Sequence, residues 1–275
     1  MAISLLNNIA ALQAENELNQ TANNLQSTLF QLSSGSRLNS GADDPAGLEI
    51  ANGLQANITA LNQSAVNANE GIGLAQTADG ALAQITNLLN RATTLATEAA
   101  NGTNTGNQLT ALNTEYVSIK AEIDQIGLNT TYNGTSVFTG TTTSIFLSDG
   151  GAAETLANAT VGVSPGSVSS SGLGLTTALD TQTDAVAALA QITAAVQTVA
   201  ASRAGLGASI NRLNAGVGVE TAQVQNLTSA EDGITAANIP QEVTKLSQYS
   251  VLDQTGISAL TQANNALQNI LALFR

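Results

Sequence analysis

The sequence predicts a mainly α protein: a long antiparallel helical bundle or coiled coil formed by both chain ends, with a small β-hairpin region and a loop-rich insert between them. Three observations carry this. Leucine, isoleucine, valine and alanine recur at alternating steps of three and four over most of the chain, the spacing of one helix face. Of the 275 residues 43% are hydrophobic but only 3% aromatic, which suits slender helix packing better than a thick core. The periodic pattern breaks twice, once near each end.

The first segment carries Leu5, Ile9 and Leu12, then Leu18, Ala22, Leu25, Leu29 and Leu32. These are two runs with a slip of one position between them, read as one amphipathic helix with a coiled-coil-like seam. "SSGSRLNSGADDPAGLEIANGL", Ser33 to Leu54, then interrupts it with Gly35, Arg37, Asn39, Gly41, the pair Asp43-Asp44 and Pro45. A second helix should start there, with Asp44 as N-cap and Pro45 as its first residue. Proline drives the preceding residue out of the helical region, which is what an N-cap requires. The next stripe runs Ala51, Leu54, Ile58, Leu61, Ala65, Ala68, Ile72, Ala75, Leu82 and Leu89. Unbroken to Ala100, that helix would be about 85 Å long at ~1.5 Å per residue.

"NGTNTGN" is a turn by its Gly and Asn content, and a third helix follows with Leu109, Leu112, Tyr116, Ile119, Ile123 and Ile126. "TTYNGTSVF" sets Asn133-Gly134 between β-prone residues, a strong hairpin signal. From Thr139 to Thr177 periodicity vanishes and Ser, Thr and Gly prevail, which reads as exposed loops with strands around "SIFL". Next comes the strictest pattern: Leu189, Ile192, Val196, Val199, Arg203, Leu206, Ile210, Leu213, Val217, Glu220, Val224, Leu227, Glu231 and Ile234. A continuous helix with a narrow seam is expected despite Gly205, Gly207, Gly216 and Gly218, each costing ~1 kcal/mol of helix propensity. After "AANIPQE", Pro240 can open a last helix carrying Leu260, Ala263, Leu267, Ile270 and Phe274.

The layout is symmetric about its middle, and neither terminal helix can bury its stripe alone. Pairing the two ends gives the expected domains: 1–33 with 241–275 as an inner coiled coil; 34–43 and 236–240 as connectors; 44–138 with 178–235 as an outer helical core containing the hairpin; and 139–177 as a surface-exposed insert.

Charge and composition exclude several functions. The net charge is −13 and the seven basic residues (Arg37, Arg91, Lys120, Arg203, Arg212, Lys245 and Arg275) are scattered, so nothing tracks a phosphate backbone or favours an anionic membrane. There is no cysteine and no histidine, which removes disulfides, thiolate chemistry and the commonest general base and metal ligand; no cofactor or metal is expected. "MAISLLNNIAAL" has no basic n-region or cleavage pattern, so it does not read as a Sec-type signal peptide. No apolar run is read as reaching the roughly 18 residues of a membrane span.

Several stretches resemble bacterial flagellin. "LSSGSRLNSGADDPAGLEIANGL" is similar to the family's N-terminal signature, which typically reads L-S-S-G-x-R-I-N-S-A-x-D-D-x-A-G. "NANEGIGLAQTADGALAQITNLLNRATTLATEAANGTNT" resembles the helix that follows, and "TTYNGTSVF" the family hairpin. "LGASINRLN", "NLTSAEDGI" and "LDQTGISALTQANNALQNILALFR" resemble its C-terminal region. The match covers roughly Met1 to Phe138 and Thr181 to Arg275.

The resemblance implies a structural subunit that self-assembles into the flagellar filament for motility. The terminal helices would pair along the central channel, with an assembly stripe of Leu5, Ile9, Leu12, Leu25, Leu29, Leu260, Leu267, Ile270 and Phe274. Gly35, Arg37, Asn39, Asp43, Asp44 and Pro45 would form the connector to the outer domain. It also implies extracellular localisation after type III flagellar export without a cleaved signal. The implied partners are the export apparatus, an export chaperone at the C-terminal helix, the filament cap and hook-associated proteins.

Recognition by the flagellin-sensing Toll-like receptor of animals would use Arg91 and Leu95 on one helix and Glu115 on the next; Thr93 and Thr94 stand where many agonists carry charge. The insert is short for the family, and Ala236 to Pro240 replaces an acidic stretch that many relatives carry, so the second connector is expected to differ in detail.

Rival readings are a hook-filament junction protein, another coiled-coil scaffold, and a carboxylate-based enzyme. The last has one conspicuous carboxylate pair, Asp43-Asp44, whose place at a helix start reads as cap and dipole partner.

Overall fold

The structure, a computed structural model, describes residues 8–148 and 159–273. It contains five helices and four short strands among those residues: α1 Ile9–Ser34, α2 Pro45–Ala99, α3 Gly106–Asn129, β1 Thr131–Tyr132, β2 Thr135–Ser136, β3 Thr143–Phe146, β4 Thr160–Val163, α4 Gln182–Thr235 and α5 Ile239–Leu273. The mainly α class is what the periodicity required. Both long helices run unbroken, 55 residues in α2 and 54 in α4.

Helix ends are set by local chemistry. Asn8 caps α1 by accepting from the Ala11 amide at 3.1 Å, and Gly35 ends it in the left-handed region at φ 70°, a conformation glycine adopts without steric cost. Asp44 Oδ1 accepts from Gly47 N at 2.9 Å, so the expected cap at the start of α2 is present. Gln108 reaches back to the Thr105 amide at 2.8 Å to start α3, and Thr181 accepts from Asp184 N at 3.1 Å to start α4. The Asn133-Gly134 hairpin joins β1 and β2, with both turn residues at positive φ, 50° and 77°, as a tight I′-type turn demands.

By contacts the chain divides into two compact units, Met1–Ala56 with Asn226–Arg275, and Asn57–Gln225. The divisions fall inside α2 and α4, about three turns beyond the connectors that the sequence marks as boundaries.

In the first unit, α1 and α5 pack antiparallel. Asn8 Nδ2 donates to Ala263 O at 3.1 Å near one end, and Ser36 bridges Ala236 at the other. The covered face of α1 is Ala11, Ala14, Leu18, Thr21, Leu25, Thr28 and Leu32; that of α5 includes Leu246, Tyr249, Gly256, Leu260 and Ala263. Leu18 Cδ1 would stand 3.1 Å from a Cβ at Gly256, so the missing side chain is what lets the leucine seat there.

The second unit holds one continuous core. Ala68, Ala75, Ala78, Leu82, Ile85, Leu89 and Ala92 from α2 meet Tyr116 and Ile123 from α3 and Ile192, Val199, Leu206 and Leu213 from α4. Ala68, Ala75, Leu82 and Leu89 of α2 and the named residues of α3 and α4 lie on the seams read from the sequence; Ala78, Ile85 and Ala92 widen the buried face of α2 beyond that stripe.

The insert departs from expectation. Expected to be surface-exposed, 139–177 instead sends Val161, Val163, Val168, Leu173 and Leu175 into that core, each at most 9% exposed. β3 and β4 pair antiparallel with Thr143 opposite Val163 and Phe146 opposite Thr160. Helical glycines make room for it. A Cβ on Gly71 of α2 would lie 2.7 Å from Ile145 Cγ1 and one on Gly73 2.8 Å from Tyr132 Oη, while one on Gly216 of α4 would overlap Leu147 and one on Gly127 of α3 the Val168 carbonyl. All three helices of the unit therefore carry a glycine where a strand, hairpin or loop residue docks.

A second correction concerns span length. α4 contains an 18-residue window of mean hydropathy 1.5, long and apolar enough by composition to cross a bilayer. Its alanine-rich face, including Ala185, Ala188 and Ala195, is packed into the core of the second unit.

Candidate functional site

The terminal helix pair has two kinds of apolar face. One is the α1–α5 seam, where Leu25 and Leu260 are half-buried. The other faces away from it. Ile9 is 62% exposed, Leu12 59%, Leu29 48% and Phe30 64%, and on α5 Val243, Val251, Leu252 and Ile257 are also exposed. Ile9, Leu12 and Leu29 of the expected assembly stripe are thus exposed in the single chain. Before the one-position slip in the α1 pattern Ala11 and Ala14 carry the seam; after it Leu18, Leu25 and Leu32 do, while Ala22 and Leu29 of the same run stay exposed. Leu5 and Phe274 lie outside the described residues, as do the side chains of Leu267 and Ile270.

The connector is fastened by backbone bonds across nearly 200 residues of sequence. Arg37 N donates to Thr235 O at 2.7 Å and Ala237 N to Gly35 O at 2.9 Å, two strand-like bonds around the Ser36–Ala236 bridge. The Arg37 guanidinium adds a bond to Ile234 O at 2.8 Å, and Ser36 Oγ another to Thr235 O at 3.1 Å. Within the first connector, the Asp43 carboxylate accepts from the amides of Asn39 and Ser40 at 3.0 and 2.8 Å. Those two amides hold its carboxyl below the usual aspartate range, because they bond the charged form. Asn39 Nδ2 donates to Ser36 O at 3.0 Å. Asp43 and Asp44 thus organise a turn and a helix start, with Pro45 opening α2.

The proposed receptor residues fare differently from one another. Arg91 on α2 and Glu115 on α3 bond each other in a two-pronged pair, Nε to Oε1 at 2.8 Å and Nη2 to Oε2 at 3.0 Å, with half of each side chain in solvent. That bond raises the guanidinium's pKa and lowers the carboxyl's. Leu95 is 1% exposed and belongs to the core. It is therefore corrected: its helix position turns it inward, and an outside partner cannot touch it in this fold.

Sequence reasoning missed two features of the second unit. Arg203 at a seam position pairs with Asp79, Nε to Oδ1 at 2.7 Å. Glu220, also at a seam position, is 5% exposed and contacts Ser64 Oγ at 2.5 Å. Both were visible as polar residues on an apolar stripe; their partners on α2 were not. Among the described residues no three His, Cys, Asp or Glu side chains cluster as metal ligands would.

An antiparallel terminal helix pair, braced at its connectors and bearing outward apolar faces, defines a helical structural subunit built to meet other protein. Residues 5–143 match the bacterial flagellin N-terminal helical region, and residues 189–274 match the bacterial flagellin C-terminal helical region. Flagellin of Xenorhabdus nematophila is 33% identical over the whole of both chains, and flagellin FlaB2 of Treponema pallidum is 28% identical over 98% of each. B-type flagellin of Pseudomonas aeruginosa is 44% identical over 51% of this chain, which spans only 29% of that longer protein.

Among solved structures, Bacillus cereus flagellin matches with TM-score 0.50 and 32% identity over 60% of this chain and 94% of that one. A Vibrio parahaemolyticus protein described as flagellar hook-associated shares the fold, with TM-score 0.58 at 14% identity over 70% of this chain and 100% of that one. The chain belongs to the bacterial flagellin family and is a structural subunit of the flagellar filament, an extracellular appendage.

Proposed function

We propose that polymerisation is driven by the outward apolar faces of the terminal helices, each covered in the filament by further copies of the same chain. One observation carries this reading: Ile9, Leu12 and Phe30 of α1 and Val251 and Ile257 of α5 remain exposed although the two helices are already paired. Burying a large apolar side chain stabilises by ~1.5–3 kcal/mol, and a lone subunit leaves that gain unused. In this reading 1–33 with 241–275 forms the inner layer, 34–43 and 236–240 the connectors, and 44–138 with 178–235 the outer helical layer.

Kinship with flagellins also supports export through the flagellar type III apparatus without a cleaved signal, a chaperone on the C-terminal helix, and contacts with cap and hook-associated proteins. For the animal Toll-like receptor, the solvent-facing Arg91–Glu115 pair is the candidate contact, without Leu95. Electron microscopy tests the assembly reading. Leu12→Asn combined with Val251→Asn should leave helical circular dichroism unchanged yet abolish filaments; normal filaments from the double variant would sink it.

A further inference from the structure

Glu220 stands on the α4 seam in succession to Leu206 and Leu213, both wholly buried. Its Oε1 lies 2.5 Å from Ser64 Oγ on α2, and that hydroxyl lies 3.4 Å from the carbonyl oxygen of Phe146, the last residue of β3. Its other oxygen, Oε2, is buried without a hydrogen-bond partner. A serine hydroxyl has one proton to donate. If Glu220 is ionised, Ser64 must spend that proton on it; the Phe146 carbonyl loses its donor and buried Oε2 keeps charge with no hydrogen bond to it, an expensive state. If Glu220 is protonated, its own O–H donates to Ser64 Oγ, and the serine proton is free for the Phe146 carbonyl. One proton on Glu220 thus completes a chain from α4 through α2 to β3. The next residue, Leu147, seats over Gly216, one helical turn before Glu220.

The geometry points to a proton-held latch: neutral Glu220 fastens β3 to α2 and α4, and loss of its proton releases the strand. The inference goes beyond the filament reading and does not depend on it, since every contact lies inside one unit of one chain.

Burial pushes the Glu220 carboxyl above the usual glutamate range, and the Ser64 bond pulls it only partly back. The nearest charged residues along the packed helices, Glu70 on α2 and Arg212 on α4, are not among the causes of that shift, and β3 carries no charge. The folded state therefore holds the proton more tightly than the unfolded chain. Stability from the latch is full below the ordinary glutamate value of ~4.3 and is lost as pH rises through the higher folded value.

An infrared titration of the full chain tests this directly. One protonated-carboxyl band should persist to higher pH than the rest, and should be missing in Glu220→Gln. Hydrogen exchange gives the second readout, at the Leu147 amide that donates to Ala159 O at 2.7 Å. The ratio of wild-type to Glu220→Gln exchange at matched pH should rise severalfold as pH climbs through the Glu220 titration, because a glutamine amide donates to Ser64 at every pH. Ser64→Ala keeps the acid but removes the relay, so Leu147 should exchange fast already at the acid end. A band titrating with the other carboxyls, a flat exchange ratio, or slow exchange in Ser64→Ala at the acid end would each overturn the latch.

Discussion

Arg91 and Glu115 meet side by side across α2 and α3, guanidinium against carboxylate at 2.8 and 3.0 Å. The pair is exposed, so solvent screening keeps its contribution to folding small. It nevertheless fixes the direction of both charges on the surface. Arg91→Ala should leave thermal stability nearly unchanged while lowering the potency of monomeric protein about thirtyfold in a Toll-like receptor reporter assay, if that arginine is a central contact. Equal potency of wild type and variant would remove this face from the receptor reading.

Excision of 139–177, replaced by a short linker, should destabilise the second unit rather than pass unnoticed. It removes Val161, Val163, Val168, Leu173 and Leu175 from the core, at ~1.5–3 kcal/mol per fully buried large side chain as an upper scale. Urea denaturation of the monomer checks this, and a midpoint equal to that of the full chain would show the insert to be a bystander.

Two glycines inside helices should respond in opposite directions to alanine. At Gly127 the new methyl meets the Val168 carbonyl, whereas at Gly205 nothing stands within 4 Å. Gly127→Ala is expected to cost about 1–3 kcal/mol through forced backbone movement. Gly205→Ala should stabilise by up to ~1 kcal/mol through helix propensity. The same urea experiment reads both, and matching signs would contradict the packing described.

Protection of the Asn39 and Ser40 amides should depend on the charge of Asp43. Its carboxyl titrates below the usual value because it accepts from both. The turn is therefore held above the ordinary aspartate pKa of ~3.9 and released as pH falls through the depressed folded value. In Asp43→Ala the two amides should exchange fast at every pH; retained protection there would mean that other contacts order the turn.

Seams were legible where a helix is long and strictly patterned. From Leu189 to Ile234 the spacing alone identified α4 and the side it buries, and Asp44-Pro45 marked the start of α2 to the residue. Periodicity failed where apolar residues serve two faces of one helix: Ile9 and Leu12 are as hydrophobic as Leu18 and Leu25, and only the three-dimensional pairing separates an outward face from a seam. It failed again in 139–177, because Val161 and Val163 alternate over too few residues to stand out among serines and glycines. Leu95 was misplaced for a related reason: a residue carried over from a motif keeps its neighbours in sequence but takes its exposure from the packing around it. What Gly71, Gly127 and Gly216 accommodate could not be read, since a glycine shows where a side chain is missing and not which neighbour uses the space.

The bond from Asn8 to the Ala263 carbonyl closes a loop of 255 residues. Such a closure brings together the extreme ends of the chain and depends on nothing local, so it is entropically the most demanding contact to form and belongs late in folding. A chain still being synthesised has a finished α1 and no α5 to receive it. The second unit can assemble from residues already made, while the first must wait for the final segment. Completion of the α1–α5 pair is therefore a signal, written into the topology, that both helices and everything between them have been made.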